Sequence, residues 1–428
     1  MSIATSTLAN GLRVVTRHMP HATTVSVGIW VEAGARDELA HEQGIAHMLE
    51  HMAFKGTTKR DAQMIAAEVE NVGGYMNAHT SREETAYYLR LLPEHLDLGI
   101  DILADILTNS TLPEHEIERE RGVIIQEIGQ SLDTPDDLVF DLFAKSCFEG
   151  HTLARPILGT VDSVSGFSQA DLRAFLSRYY GAGQMLVCAA GAITHQTLTS
   201  RIEARLGQMA SAETAKRTPA VWQGGRHIVT RQLEQAHVVF GLPAVVDSMA
   251  DRFALMALST LYGGGMSSRL FQQVREKRGL CYSIFSFASL NSDGGAFAVY
   301  AGTSVADVDE MLRVSAAELA AIAGTVGHDE VARAKSQLRA SLLMSRESVS
   351  SCAEALARQM MLFGRPQPDD ELLAAIDGVD GAAISAMARQ LIAAGPPALA
   401  LVGPKADVMP NAELAARLAA YAEPGRLT

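Results

Sequence analysis

The sequence predicts an α+β protein of two similar domains, each built from a mostly antiparallel β-sheet covered by helices. Three observations support this fold class. The chain has 428 residues, 48% of them hydrophobic, and a domain usually holds ~100–200 residues. Stretches rich in β-branched residues alternate with longer helical patterns. Short strand motifs also recur at a nearly constant spacing, which indicates an internal duplication.

The first half contains strands and helices in mixed order. Strands are predicted at residues 12–17, 24–31, 75–78, 85–92 and 185–193. Helices are predicted at residues 42–54, 62–72, 93–107, 113–148, 169–180 and 196–207. This alternation favours a sheet with helices packed on it rather than a bundle of helices.

The second half repeats the start and the end of the first. The motifs VSVG (25–28) and VVFG (238–241) are 213 residues apart, and VCAAG (187–191) and LALVG (399–403) are 212 apart. Coincidence between short apolar strings is the alternative. A small, polar and turn-prone segment at 208–225 is interpreted as a linker between domains at 1–207 and 226–428.

Charge and cysteine content exclude several classes of partner and site. The 36 Lys and Arg residues against 49 Asp and Glu residues give a net charge of −13, which argues against nucleic acid or an anionic membrane as a partner. The four cysteines form no CxxC pair, so neither a disulfide framework nor a thiolate zinc site is expected.

Neither a signal peptide nor an apolar stretch of ~20 residues is visible, so we expect a cytoplasmic protein.

One pentapeptide carries residues suited to metal chemistry. His47 and His51 are four positions apart and share a face of the predicted helix, so both imidazoles can reach one metal ion. Glu50 lies on the same face, where it can act on a water molecule at the metal. This H-x-x-E-H order is the inverted zincin motif. The alternative is a surface helix with a Glu–His hydrogen bond.

A catalytic zinc site also needs a third protein ligand and an open position for water. The acid-rich segment 114–130 offers candidates, among which Glu120 and Glu127 are two helical turns apart and face the same way. An acid-rich helix is more often a solvated surface than a set of ligands. The residues alone therefore leave the third ligand open.

Longer motifs give the chain a family resemblance. It resembles the pitrilysin-type (inverzincin) zinc metallopeptidases, most closely the β-subunit of mitochondrial processing peptidase and its bacterial homologues. The resemblance covers most of the chain and is densest in GIAHMLEHMAFKGT (44–57), NAHTSREETAYY (77–88), NSTLPEHEIERERGVIIQEI (109–128) and ILGT (157–160). It implies a half-clamshell fold of the processing peptidase and insulinase type. It also implies a zinc-dependent endopeptidase that hydrolyses extended peptides or unfolded polypeptide segments.

The resemblance gives roles to individual residues of the first half. It implies that His47, His51 and Glu127 bind one Zn²⁺ per chain. Glu50 is then the general base that takes a proton from a water activated by the metal. Glu120 matches a supporting acid of the family, placed behind the ligands.

The second half resembles the family's domain without a metal site. The residues 213 positions beyond the motif are Thr260, Gly263 and Gly264, and none of them is a zinc ligand. Arg275 and Tyr282 match the family's Arg/Tyr pair, which implies that they donate hydrogen bonds to the tetrahedral oxyanion. The catalytic domain is therefore expected at the N-terminal end, with the Arg/Tyr pair in the second domain.

Two further matches concern the substrate. Asn77 and Ala78 resemble part of the family's edge strand, to which an extended peptide adds as one more strand; an ordinary strand end is the alternative. Asp137 and Asp141 lie where processing-peptidase relatives place carboxylates for a basic residue near the scissile bond. The first is a glutamate in those relatives, and DTPDD (133–137) is also typical of a helix start.

The resemblance bears on assembly as well. In heterodimeric relatives one chain brings the zinc ligands and the other brings the Arg/Tyr pair, whereas this chain holds both sets. This implies a homodimer with shared active sites. Two alternatives stay open. One is a non-catalytic structural subunit, like the core proteins of the respiratory cytochrome bc1 complex. The other is a catalytic chain that needs a separate regulatory partner.

Overall fold

The computed structural model describes residues 2–211, 216–405 and 407–422 and confirms an α+β fold of two sheets covered by helices. Residues 212–215, within the predicted linker, lie outside the described residues. The strands in the described part are β1 Ser2–Thr7, β2 Arg13–His18, β3 Val25–Val31, β4 Tyr75–Thr80, β5 Thr85–Leu91, β6 Met185–Gly191, β7 Arg226–Thr230, β8 Ala236–Pro243, β9 Cys281–Asn291, β10 Gly294–Thr303 and β11 Ala398–Gly403.

Helices occupy most of the chain between these strands. They are α1 Ile45–Met52, α2 Ala62–Glu70, α3 Leu96–Thr108, α4 Glu114–Asp133, α5 Pro135–Phe148, α6 Val161–Gly166, α7 Gln169–Tyr179, α8 His195–Leu206, α9 Met249–Gly263, α10 Val308–Gly324, α11 His328–Ser345, α12 Val349–Phe363, α13 Asp369–Asp377, α14 Gly381–Ala393 and α15 Asn411–Ala422. Phe271–Glu276 is π-helical. No described helix is both long and apolar enough to cross a membrane.

The two sheets share one topology. The first has the strand order β1-β2-β6-β3-β5-β4 and the second β7-β11-β8-β10-β9, so β1 is the additional strand of the first sheet. In each sheet one pair is parallel, β2 with β6 and β7 with β11, and the other pairs are antiparallel. β2 and β7 start at Arg13 and Arg226, and β6 and β11 start at Met185 and Ala398, which is an offset of 213 residues in both cases. The repeated order supports an internal duplication.

The chain forms two compact units that differ from the contiguous halves expected from the sequence. The first unit contains the chain up to Gly129 together with Arg155–Thr218 and Leu343–Pro368. The second contains Gln130–Ala154, Pro219–Leu342 and the chain from Asp369 onward. Each unit thus includes one helical segment from the other half of the sequence. The predicted linker is divided as well, between Thr218 and Pro219.

These exchanged segments cover faces of the sheets that would otherwise meet water. β3 is buried along its whole length, so its sheet needs apolar cover on both sides. On one side Cys352 and Leu356 of α12 pack with Trp30 and Leu186 of the first sheet. α5 has the same function in the second unit, where its apolar residues cluster with residues of β8, β10 and β11. A pattern of local periodicity does not reveal which distant helix covers a sheet face.

The break between α4 and α5 corrects the single helix predicted at residues 113–148. Pro135 has no backbone N–H, and its ring disfavours helical geometry at the preceding residue. Thr134 is extended accordingly, with φ −99° and ψ 102°, and Pro135 begins a new helix. The break lets most of α4 belong to the first unit while α5 belongs to the second.

Packing of α12 on the first sheet gives a stability prediction. Replacing the buried Leu356 with Ala removes apolar contacts and leaves a cavity, so we expect the free energy of unfolding to fall by about 2–5 kcal/mol. Leu343, at the start of the segment Leu343–Pro368 that contains α12, is 48% exposed. Leu343→Ala should therefore change the free energy of unfolding by less than about 0.5 kcal/mol. Denaturant titration followed by circular dichroism measures both variants. Equal effects would contradict the packing described for α12.

Candidate metal centre

Helix α1 presents the H-x-x-E-H motif on the side opposite its buried face. Ile45, Met48, Leu49 and Met52 are buried and follow the i, i+3, i+4, i+7 pattern of a helix packed on a core. His47, Glu50 and His51 lie off this stripe and are half-buried. The apolar spacing of the helix therefore decides which way its polar side chains face.

The first turn of α1 is held from outside the helix. The two side-chain oxygens of Glu38 accept hydrogen bonds from the backbone N–H groups of Gly44 (2.9 Å) and Ala46 (3.0 Å). Burial raises the pKa of Glu38 to about 8. Gly44 has φ +91°, and a Cβ there would lie 2.5 Å from the carbonyl oxygen of Leu158, so glycine is required both for its conformation and for space. These contacts set the position of the helix that carries the motif.

Three potential ligands converge on the face of α1 that carries the motif. His47 Nε2 lies 3.8 Å and His51 Nε2 3.7 Å from Glu127 Oε2, and the three ligand atoms all lie within 4.8 Å of one another. These separations are too long for hydrogen bonds. Bonds of about 2.0–2.2 Å to one tetrahedral ion put neighbouring ligand atoms about 3.3–3.6 Å apart. The three side chains thus fit a metal ion better than they fit direct pairing with one another.

The third ligand candidate comes from α4. Ile117, Ile124 and Ile128 of α4 are buried, and this spacing directs Glu120 and Glu127 toward α1. Two imidazole nitrogens and one carboxylate are a donor set typical of catalytic zinc, with a fourth position left for water or substrate. Among the described residues, this is the one group of three or more His, Cys, Asp or Glu side chains arranged for a metal ion.

Glu120 orients one of the imidazoles. Its Oε2 lies 2.9 Å from His51 Nδ1, and Lys55 Nζ lies 2.7 Å from its Oε1. Burial acts to raise the pKa of Glu120, but the hydrogen bonds from Lys55 and His51 hold it below the ordinary value. The carboxylate is therefore charged and accepts a hydrogen bond from the N–H at His51 Nδ1. In a neutral imidazole with its proton on Nδ1, Nε2 is the nitrogen with a free lone pair, as a metal ligand requires.

His47 is also kept in the form that binds metals. Burial, together with the neighbouring His51, lowers the pKa of His47 to about 4. At neutral pH the imidazole is uncharged, and a neutral imidazole is the form that coordinates an ion. Its Nδ1 is buried and has no hydrogen-bond partner among the described residues, while Nε2 faces Glu127. In the part of the chain that the structure describes, no carboxylate therefore accepts a hydrogen bond from His47 Nδ1 as Glu120 does from His51 Nδ1.

Glu50 lies beside the ligands without being one of them. One of its carboxylate oxygens, Oε2, accepts a hydrogen bond of 2.6 Å from Thr80 Oγ1, at the end of β4. Burial raises the pKa of Glu50 above its ordinary value, against the effect of the Thr80 hydrogen bond. Burial thus makes this carboxylate more basic, as a general base requires.

Asn77 and Ala78 lie on β4, which is an edge strand of the first sheet. The side-chain oxygen of Asn77 accepts a hydrogen bond of 2.8 Å from the backbone N–H of Ala78. β4 pairs with β5 on one side only, so its other edge can add a further extended chain.

The other predicted site residues lie in the second unit. Arg275 belongs to the π-helical segment, and its guanidinium lies over the ring of Tyr282 at 5.0 Å and over that of Phe271 at 4.5 Å. Tyr282 is 75% exposed. Asp137 and Asp141 lie one turn apart on α5, the first exposed and the second half-buried. The structure thus brings Arg275 and Tyr282 together, and their action on a substrate stays a prediction.

Three residues that the sequence reasoning did not select contact the site or its helix. Lys55 pairs with Glu120, Thr80 with Glu50, and Glu38 with the first turn of α1. Lys55 and Thr80 do fall inside the motifs that carry the resemblance. Their side-chain partners lie 30 or more positions away in the chain, so periodicity gives no signal for these contacts.

The hydrogen bond between His51 and Glu120 leads to a prediction about zinc affinity. In Glu120→Gln, the neutral amide oxygen accepts a weaker hydrogen bond from His51 Nδ1 than the carboxylate does. The ion pair with Lys55 is also lost. We expect zinc affinity to fall about 10–100-fold. Competition with a chelating dye measures the dissociation constant. Glu116→Gln, on the same helix, is the control and should bind zinc like the unmodified chain. An unchanged affinity in Glu120→Gln would exclude this supporting role.

Two family models match the chain. Residues 13–161, which include α1 and α4, match the model described as Insulinase (Peptidase family M16). Residues 166–338 match the model described as Peptidase M16 inactive domain. The second match agrees with the lack of a metal-ligand set at Thr260, Gly263 and Gly264.

Relatives and solved structures extend these matches over nearly the whole chain. A protein of Streptomyces coelicolor named as an uncharacterized zinc protease is 37% identical over 416 residues, which are 95% of this chain and 90% of that protein. The crystal structure of a protease from Helicobacter pylori has a TM-score of 0.87 at 22% identity, covering 94% of this chain and 99% of that one. A chain of complex III2 from Candida albicans, with Inz-5 bound, has a TM-score of 0.84 at 21% identity, with coverage of 97% and 99%. The two structures show a shared fold. Together with the family models, the Streptomyces relative confirms the resemblance: the chain belongs to the insulinase family, peptidase family M16.

Proposed function

We propose that this protein is a zinc-dependent endopeptidase that hydrolyses extended peptides or unfolded polypeptide segments. The observation that carries the proposal is the convergence of His47, His51 and Glu127, with the carboxylate of Glu50 beside them. The Streptomyces relative is named a zinc protease, which agrees with it. Zinc is the ion that this donor set favours in hydrolytic sites.

The residues of the chain support a hydrolytic mechanism. A zinc ion held by His47, His51 and Glu127 would polarise an attacking water molecule and the scissile carbonyl group. Glu50 takes a proton from that water and later gives it to the leaving amine. Arg275 and Tyr282 carry N–H and O–H donors suited to a developing oxyanion.

The edge strand suggests how a substrate is held. A peptide that adds to β4 is bound through backbone hydrogen bonds, which do not depend on its sequence. Only an extended or unfolded segment can present its backbone in this way. Asp137 and Asp141 would add a preference for a basic residue near the cleaved bond.

Metal-dependent cleavage is the direct test of this function. The purified protein should hydrolyse a quenched unstructured peptide, lose the activity on treatment with a chelator, and regain it when about one zinc per chain is restored. A tightly folded protein substrate should resist. A preparation with one zinc per chain and no cleavage of a peptide library would exclude the endopeptidase function.

A structural subunit without catalysis is the second candidate. The likeness to a chain of complex III2 from Candida albicans favours it, because the same fold serves in that complex. The ligand set argues against it, since a scaffold has no need of His47, Glu50, His51 and Glu127 in this arrangement. Zinc content well below one per chain after metal repletion would favour the scaffold.

We also propose a homodimer with shared active sites. The chain carries both the zinc ligands and the Arg/Tyr pair, so two identical chains can complete each other's sites. Mixing Glu50→Gln chains with Tyr282→Phe chains should restore one intact site per mixed dimer. If re-assorted mixtures stay inactive, the shared-site arrangement is wrong. Activity of the chain purified alone would exclude a need for a separate regulatory partner.

A further inference from the structure

Thr80 makes a side-chain contact with the proposed general base. Its hydroxyl donates to Glu50 Oε2 at 2.6 Å, the length of a strong hydrogen bond to a carboxylate. The two residues come from different elements, β4 and α1, and are 30 positions apart in sequence. The contact is therefore made by the tertiary structure and does not arise from the helix.

The backbone around Thr80 is held by several contacts. Thr80 pairs with Thr85 across the β4–β5 hairpin, and the Ser81 N–H donates to the Glu84 carbonyl oxygen at 2.8 Å, which closes the turn. The Ser81 carbonyl oxygen accepts from the Ala35 N–H at 3.1 Å. These bonds fix the end of the strand. A hydroxyl on a fixed backbone can hold a carboxylate in one orientation.

The hydrogen bond distinguishes the two oxygens of Glu50. Oε2 accepts a hydrogen bond from the Thr80 hydroxyl, so Oε1 is the oxygen left for a reacting water. A carboxylate on a free side chain samples several rotamers, and a general base acts only when it lies within hydrogen-bond reach of the proton it removes. Holding one oxygen therefore raises the fraction of molecules in which the other is correctly placed.

We propose that Thr80 is a positioning residue that holds the Glu50 carboxylate in its reactive orientation, an inference that rests on the proposed endopeptidase function. Among the described residues, its hydroxyl bonds to Glu50 Oε2, which is not one of the proposed zinc-ligand atoms. Its loss should therefore slow the chemical step while zinc binding stays unchanged. Because Thr80 ends the strand to which a substrate would add, the same short segment would hold the substrate backbone and the base.

A matched pair of substitutions tests the proposal. Thr80→Val keeps the branched shape but has no hydroxyl, whereas Thr80→Ser keeps the hydroxyl. We expect Thr80→Val to lower kcat about 10–100-fold, the loss that follows from removing one hydrogen bond to a charged group. KM and zinc content should stay within twofold of the unmodified protein. Thr80→Ser should recover most of the lost kcat.

Thr85→Val is the control for a general effect on the hairpin. The Thr85 hydroxyl is buried and donates to the Ala33 carbonyl oxygen at 2.9 Å instead of to Glu50, so this variant should lose thermal stability but keep kcat. Equal kcat losses in Thr80→Val and Thr85→Val would overturn the proposal. So would an unchanged kcat in Thr80→Val, or a loss in Thr80→Ser as large as in Thr80→Val.

A measurement without catalysis separates this proposal from the proposed function. In the zinc-free protein, the effects of Thr80→Val and Glu50→Ala on the midpoint of thermal unfolding should be non-additive. The double variant should lower this midpoint by less than the sum of the two single effects. Strict additivity would show that the hydrogen bond is absent and overturn the proposal. Failure of the proposed function would show differently, as a zinc-loaded unmodified protein that does not cleave peptides.

Discussion

Replacing Glu50 with Gln is expected to lower kcat about 10²–10⁴-fold while the protein keeps its zinc. Gln has nearly the same shape and its amide oxygen can still accept the Thr80 hydrogen bond, so the fold of α1 should not change. It cannot take a proton from water. The loss corresponds to about 3–5 kcal/mol of transition-state stabilisation.

Zinc content and steady-state kinetics must be measured on the same Glu50→Gln preparation. Glu118→Gln is a suitable control, because that side chain is exposed on α4 and should leave kcat within twofold. If Glu50→Gln retains activity with zinc bound, Glu50 is not the base. If it loses zinc instead, Glu50 has a role in binding the metal, and the interpretation of the motif changes.

Replacing Glu127 with Gln is expected to weaken zinc binding by more than about 100-fold, and activity should disappear at stoichiometric zinc. This loss should exceed the ~10–100-fold expected for Glu120→Gln, because Glu127 would contact the ion directly whereas Glu120 acts through His51. The neutral amide cannot supply the negative charge that a carboxylate brings to a divalent cation.

The affinity of Glu127→Gln can be measured by competition with a chelating dye, with Glu118→Gln again as the control. Excess zinc should restore part of the occupancy of the variant, which distinguishes a lost ligand from a misfolded chain. An affinity within threefold of the unmodified protein would show that Glu127 is not the third ligand. Glu120 would then be the remaining acid of α4 next to the histidines.

The H-x-x-E-H motif was predictable because its geometry is local. Residues at i, i+3 and i+4 of a helix share a face in any context, so the relation of His47, Glu50 and His51 does not depend on the rest of the fold. The third ligand was different. Glu120 and Glu127 face the same way on α4, and the choice between them came from the family resemblance. The structure places Glu127 beside both Nε2 atoms and Glu120 behind His51.

Several parts of the fold were not predicted. β1, β9 and β10 were missed, and two helices were taken as one because the pattern at 113–148 continues through Pro135. The contacts of Lys55 with Glu120 and of Thr80 with Glu50 were missed as well. They join residues far apart in the chain, and only the packing of α1 against α4 and β4 brings them within hydrogen-bond distance.

The sequence by itself was sufficient to predict the α+β class and the face of α1 that carries the motif, since these follow from apolar periodicities of two or about 3.6 residues. It also predicted the repeated strands, because short strand motifs recur at a nearly constant spacing. The tertiary structure decided which helices cover which sheet. α5 and α12 each pack in the unit built mainly from the other half of the chain, because both faces of each sheet need apolar cover. It also decided that Glu127 and Thr80 meet α1, since such contacts depend on the positions of whole elements and have no period in the sequence.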